Sequence, residues 1–202
     1  IQGVPSLKPI DCRIFPDRIE TGTYMIAAAI TRGDVEIQNC VPLHVEPLTL
    51  KLRQAGIIVD SEGTSLHVNG DSSFEGVNIT TQPYPGFATD LQAQFMALMT
   101  LAKGQSIIFE TVFENRFMHA AELNRMGADI TVQGHTAVVS GVGQLSGAQL
   151  MATDLRASAS LVLAALAATG ESTISRVYHI DRGYLDMEEK LSRLGAKIFR
   201  AK

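Results

Sequence analysis

The chain contains no tryptophan, only two cysteines and only five histidines. Each shortage removes a class of function. Cys12 and Cys40 have neither metal-site spacing nor a disulfide pattern, and the histidines lie apart without paired ligand spacing. No metal centre is expected, and no Ser/His or Cys/His nucleophile pattern or Walker-type phosphate loop occurs. Two cysteines fit a reducing, cytosolic setting. The longest apolar stretch, residues 157–168, is too short and too rich in alanine to span a bilayer. An excess of basic charge is missing too: 17 Lys+Arg against 21 Asp+Glu leave a net charge of −4, no footing for nucleic acid. The N-terminus lacks the basic n-region of a signal sequence and enters a strand-like pattern almost at once. The sequence is therefore expected to be a piece of a longer protein.

What is present is an ordinary globular balance, 202 residues at 46% hydrophobic and 19% charged, enough for one large domain or two small ones. Residues 1–16 read as a short strand and loop punctuated by Pro5, Pro9 and Pro16. Asp17 opens a helix whose body, residues 24–30, is apolar on every side, as in a core helix. Residues 35–38 alternate like a strand, a second helix through Leu48 and Leu52 stops at Gly56, and residues 57–59 and 65–68 read as a strand pair. The pattern then restarts twice. Asp90 opens an apolar helix to Ala102, followed by a strand at 106–110, a helix at 120–126 stopping at Gly127, and strands at 129–132 and 137–140. Asp154 opens the third apolar helix, with a strand at 172–177, a helix from about Leu185 to Leu194, a stop at Gly195, and a run to Arg200. Leu52, Leu123 and Leu191 each precede a stop glycine by four residues, and those glycines fall roughly 70 residues apart, a repeat period. The repeats are expected at about 14–75, 76–145 and 146–202, in one domain. Their apolar helices belong at the centre and their sheets outside, with Asp17, Asp90 and Asp154 at the helix starts.

The chemistry concentrates at these helix starts and the loops facing them. Thr89 and Gln92 have capping-box spacing, which puts Asp90 in a first helical turn beside free N–H groups, a ready anion site. Asp90 serves either the helix start or that site. Arg116 lies in a strand-to-helix loop, where it either pairs with Glu114 or serves a ligand. Arg156 stands in the first turn of an apolar helix, against the dipole's preference. It either bridges to Asp154 or binds an anion. Arg182 holds the corresponding loop of the third repeat. Arginine suits paired recognition of carboxylate or phosphate, so Asp90 and the three arginines are expected to form one anionic-substrate site.

Thr89-Asp90-Leu91-Gln92-Ala93-Gln94-Phe95, His179-Ile180-Asp181-Arg182-Gly183-Tyr184 and residues 16–23, 110–119, 146–148 and 152–164 together resemble the C-terminal half of the bacterial UDP-N-acetylglucosamine enolpyruvyl transferases. Ala88 departs from the family's usual proline. The resemblance implies an α/β fold of the inside-out barrel type, two similar domains of three repeats each, hinged over a cleft. It implies transfer of enolpyruvyl from phosphoenolpyruvate to the 3′-hydroxyl of UDP-N-acetylglucosamine with release of phosphate, the first committed step of peptidoglycan synthesis. Catalytic roles carry over to Asp90, as base for that hydroxyl, and to Arg182. Substrate binding carries over to Thr89, Asp90, Val112, Phe113, Arg116, Asp154, Arg156 and Arg182. Val112 and Phe113 would lie along the nucleotide sugar, the arginines would line the phosphoenolpyruvate side, and Asp154 would stand near the reacting carbons. No cofactor and no metal is implied. The family's proton-donating cysteine, with a lysine and a further arginine, belongs to an N-terminal domain outside this sequence, as does a strand that completes this half. The chain alone is expected to be inactive. Two other readings are a shikimate-phosphate enolpyruvyl transferase and a non-catalytic domain that binds a sugar nucleotide.

Overall fold

In the computed structural model, which describes residues 2–201, the elements run α1 (Arg18–Ile30), β1 (Asp34–Ile37), α2 (Glu46–Ala55), β2 (Ile58–Glu62), β3 (Ser65–Asn69), β4 (Ile79–Thr80), α3 (Gln92–Met99), β5 (Gln105–Phe109), α4 (Met118–Arg125), β6 (Asp129–Gln133), β7 (Thr136–Ser140), β8 (Gln149–Met151), α5 (Leu155–Ala167), β9 (Thr173–Ser175) and α6 (Met187–Arg193). Every residue of α3 is buried, as are most of α1 and residues 157–164 of α5. A helix with no polar face has no side to offer water, so these three pack against one another at the centre. Their contact is sealed by a small polar network. The Tyr184 hydroxyl lies 2.9 Å from Thr23 Oγ1, and Gln94 Nε2 donates to both oxygens at 3.2 Å. All three side chains are buried, so each needs the others to replace lost water.

The amphipathic helices α2, α4 and α6 end alike. Gly56, Gly127 and Gly195 stand at φ of +96°, +92° and +101°, where a side chain is strained. Beyond each, an N–H reaches back to the buried leucine of the last turn: Ile57 to Leu52, Ala128 to Leu123, and Ala196 to Leu191, at 3.0–3.2 Å. This is the Schellman closure, and the same bond in three places shows one local structure used three times.

The sheets lie outside the helices and differ in completeness. The second repeat has the order β4-β5-β7-β6, with β4 parallel to β5 and the rest antiparallel. The first has β1-β3-β2, all antiparallel, and the third only the parallel pair β8-β9. One expectation therefore fails. The opening segment forms no strand over the described residues 2–17; three prolines remove ladder donors, and its apolar side chains, among them Leu7, Ile10 and Ile14, are exposed with no sheet to pack on. (Ile1 lies outside the described residues.) In the third repeat the run after Gly195, residues 196–201, forms no strand and has no hairpin partner among the described residues.

The helix starts also separate. Asp17 and Asp154 are true caps. Asp17 accepts from Ile19 N at 2.7 Å, and Asp154 Oδ1 accepts from Arg156 N at 2.8 Å and Ala157 N at 2.9 Å. Asp90 is not a cap. It sits inside a 3₁₀ turn, Thr89–Leu91, and α3 begins only at Gln92. The expected Thr89–Gln92 capping box does not form, because the Thr89 hydroxyl is drawn to a buried carboxylate, Glu110, at 2.9 Å.

Candidate active site

The 3₁₀ turn frees Asp90 to face sideways, and two arginines from other elements meet it. Arg116 Nη2 donates to Asp90 Oδ1 at 2.6 Å, and Arg156 Nε stands 3.5 Å from Oδ2. Arg116 comes from the loop between β5 and α4, and Arg156 from the first turn of α5. Neither arginine takes the local ion pair that the sequence offered it. Arg116 pairs with Asp90 and not with Glu114. Arg156 gives Asp154 its backbone N–H, while its guanidinium turns to Asp90. Each guanidinium lies over a ring: Arg116 Cζ is 4.7 Å from the Phe113 centroid and Arg156 Cζ 5.4 Å from that of Tyr184. A cation over a ring face is attracted by it without spending its N–H donors. Arg156 Nε and Nη1 are buried and lack a hydrogen-bond partner among the described residues, as does Thr153 Oγ1. Unused buried donors of this kind are suited to the oxygens of an anion.

The centre is open on one side. The Asp90 side chain keeps 37% of its exposure, and Phe113 keeps 52%. Val112 and Phe113 form one wall, their backbone N–H groups both donating to Glu110 Oε1, at 2.8 and 3.1 Å. Arg182 stands apart. It ends a 3₁₀ turn, Val177–Arg182, is exposed, and makes no hydrogen bond or ion pair among the described residues. Its neighbour Gly183 packs against α5 so tightly that a Cβ there would lie 2.9 Å from Leu155 and 3.3 Å from Arg156 Nη1. The turn is thus anchored at the site's edge, and it is braced behind by Arg200, which grips Asp181 through two bonds of 2.9 and 2.7 Å and holds the Asp181 carboxyl below its usual range.

Three contributors escaped the sequence reading. Tyr184 supplies the ring under Arg156. His119, on α4, is fully buried with Nε2 unpartnered; burial pushes its pKa down to about 4, nearby Asp154 pulling it up and Arg116 pushing it down only secondarily. Glu110 is 1% exposed, and its signal was in plain view: Ser106, Ile108 and Glu110 share one face of an alternating strand, so a carboxylate was placed on the buried side.

Comparison with known proteins accounts for the arrangement. The family model for EPSP synthase (3-phosphoshikimate 1-carboxyvinyltransferase) matches residues 1–191. The UDP-N-acetylglucosamine 1-carboxyvinyltransferase of Desulfosudis oleivorans is 58% identical over 200 residues, covering 99% of this chain and 48% of that protein. The enzyme of the same name from Bdellovibrio bacteriovorus is 59% identical over 201 residues, covering 99% and 49%. The chain spans about half the length of the curated relatives it matches. Among solved structures, the enolpyruvyl transferase NikO from Streptomyces tendae superposes with a TM-score of 0.85 at 31% identity, over 94% of this chain and 45% of that one. EPSP synthase from Acinetobacter baumannii gives 0.79 at 21% identity, over 91% and 46%, a likeness of fold alone. Three apolar helices inside and sheets outside are accordingly the inside-out α/β barrel of these transferases. The chain belongs to the EPSP synthase (3-phosphoshikimate 1-carboxyvinyltransferase) family and is homologous to half of the UDP-N-acetylglucosamine 1-carboxyvinyltransferases.

Proposed function

We propose that this chain is the C-terminal half of an enzyme that transfers enolpyruvyl from phosphoenolpyruvate to the 3′-hydroxyl of UDP-N-acetylglucosamine and releases phosphate. Residues 1–202 form one domain of three repeats. It works with an N-terminal domain of the same protein, in the cytoplasm, on the path to peptidoglycan. The observation that carries the reading is Asp90: in the first and third repeats the corresponding aspartate, Asp17 or Asp154, caps a helix, whereas in the second Asp90 faces Arg116 and Arg156 instead.

The chemistry asks for this arrangement. The sugar hydroxyl adds to C2 of phosphoenolpyruvate, so its proton must leave as the C–O bond forms, while C3 gains a proton. Loss of phosphate and of a C3 proton then restores the double bond. Asp90 takes the hydroxyl proton, a general-base contribution of about 10²–10⁴-fold. Arg116, Arg156 and Arg182 bind the phosphate and carboxylate of phosphoenolpyruvate, and the unused donors of Arg156 suit that task. Thr89 holds the Asp90 turn, Val112 and Phe113 border the nucleotide sugar, and Asp154 keeps the start of α5 in place near the reacting carbons. The exposed centre needs a facing domain to exclude water. Residues 1–202 alone are therefore expected to show no turnover.

The test is phosphate release by the full-length protein. Release that requires both UDP-N-acetylglucosamine and phosphoenolpyruvate supports the reading. Release with shikimate 3-phosphate in place of the nucleotide sugar moves the protein to the sister activity. Binding of the nucleotide sugar without any release leaves a binding domain.

A further inference from the structure

We propose that Glu110 is a positioning residue that locks the turn bearing Asp90 to the loop bearing Val112, Phe113 and Arg116, and so sets the base against the hydroxyl it deprotonates. The kinetic half of this inference rests on the function proposed above; the clamp itself does not. Glu110 is buried at the end of β5, and the four donors that meet it come from three stretches of chain. Oε1 accepts from Thr81 Oγ1 at 2.8 Å, from Val112 N at 2.8 Å and from Phe113 N at 3.1 Å. Oε2 accepts from Thr89 Oγ1 at 2.9 Å. It makes no ion pair among the described residues, so its place is fixed by neutral donors alone. Thr81 extends the clamp backward: its hydroxyl also accepts from Thr111 N at 2.9 Å, and its carbonyl accepts from Thr111 Oγ1 at 2.5 Å.

The consequence is geometric. Thr89 and Asp90 are adjacent on one 3₁₀ turn, which has no side-chain cap of its own. Phe113 carries the Arg116 guanidinium on its ring, and Arg116 binds Asp90 from the far side. A closed circuit results: Asp90, Thr89, Glu110, Phe113, Arg116 and back to Asp90. Glu110 is its one buried carboxylate and touches none of the site's open surface. A catalytic group displaced by about 1 Å can cost about 10²-fold in rate, and release of the Thr89 bond removes what holds that turn.

The experiment is a double-mutant cycle in the full-length enzyme, with Glu110→Gln, Thr89→Val and the pair. Glu110→Gln keeps an acceptor for the two backbone N–H groups but presents Thr89 with an amide donor, so the bond to a charged acceptor is lost; Thr89→Val removes the link altogether. Each single change is expected to lower kcat by about 10–10²-fold, with KM for phosphoenolpyruvate unchanged. The pair should cost no more than the worse single change, since both changes act on the same link. Multiplying effects would overturn the clamp, as would kcat at the wild-type level in Thr89→Val. Amide hydrogen exchange on the same proteins gives a readout independent of turnover. Both variants should speed exchange in residues 86–92 and in 111–116 together. Faster exchange confined to the mutated segment refutes the clamp even if the wild type proves to act on another substrate pair. Absence of wild-type turnover with these two substrates, beside coupled exchange, refutes the function and leaves the clamp standing.

Discussion

His119 makes the stability of this domain depend on pH between about 4 and 6.5. Its imidazole is fully buried, with Nε2 unpartnered, and burial lowers its pKa from 6.5 to about 4. The unfolded chain takes up a proton there below pH 6.5, whereas the folded chain resists it until about pH 4. Its contribution is complete above pH 6.5 and is lost as the pH falls through that window. At about 1.36 kcal/mol per unit, the gap is worth about 3 kcal/mol. Urea denaturation of the chain at pH 7.5 and 4.5, beside His119→Gln, isolates it. With slopes of about 1–3 kcal/mol/M, the wild-type midpoint should drop by about 1–3 M more than the variant's. The glutamine lowers stability at both pH values but cannot titrate. Equal pH dependence in the two proteins would mean that water reaches His119 and the burial argument fails.

Three further outcomes follow from the same geometry. Gly127→Ala, at φ +92°, should cost about 1–2 kcal/mol in thermal or urea denaturation, as an αL side chain does, whereas Gly143→Ala, with open space and an ordinary φ, should stay within about 0.5 kcal/mol. Arg182→Ala in the full-length enzyme should raise KM for phosphoenolpyruvate and leave the binding of UDP-N-acetylglucosamine, measured by calorimetry, unchanged; the opposite result would reverse the assignment of sides. Residues 1–202 alone should release no phosphate from the two substrates, and release that Asp90→Asn abolishes would show that this half carries the chemistry unaided.

Much of the fold was legible because it is local and repeated. Three runs apolar on every side read as central helices, and the leucine-to-glycine spacing marked the repeat and the helix stops where the Schellman closures lie. The sheets were less legible. A strand forms only if a neighbour offers its edge, and neither 2–17 nor 196–201 finds one among the described residues, whatever their alternation. At the site, the residue types that gather around Asp90 could be read from the sequence, but their pairing could not. Arg116 and Arg156 each had a near neighbour of opposite charge, Glu114 and Asp154, and each binds Asp90 instead, 26 and 66 positions away in sequence. Local charge pairing lost to packing: Phe113 and Tyr184 each lie under a guanidinium, and Asp154 is already committed to the helix end. The capping box failed for the same reason, since Glu110 competes for the Thr89 hydroxyl from 21 residues away.

The central claim is that Asp90 takes the proton from the sugar hydroxyl and is not there to start a helix. Asp90→Asn keeps the size of the side chain and one acceptor for Arg116 but removes the base. The direct measurement is kcat of the full-length Asp90→Asn enzyme with UDP-N-acetylglucosamine and phosphoenolpyruvate, beside its thermal midpoint. The account predicts a loss of about 10²–10⁴-fold in kcat with the midpoint nearly unmoved. Wild-type kcat, or a collapse of the midpoint that explains the loss, would contradict it.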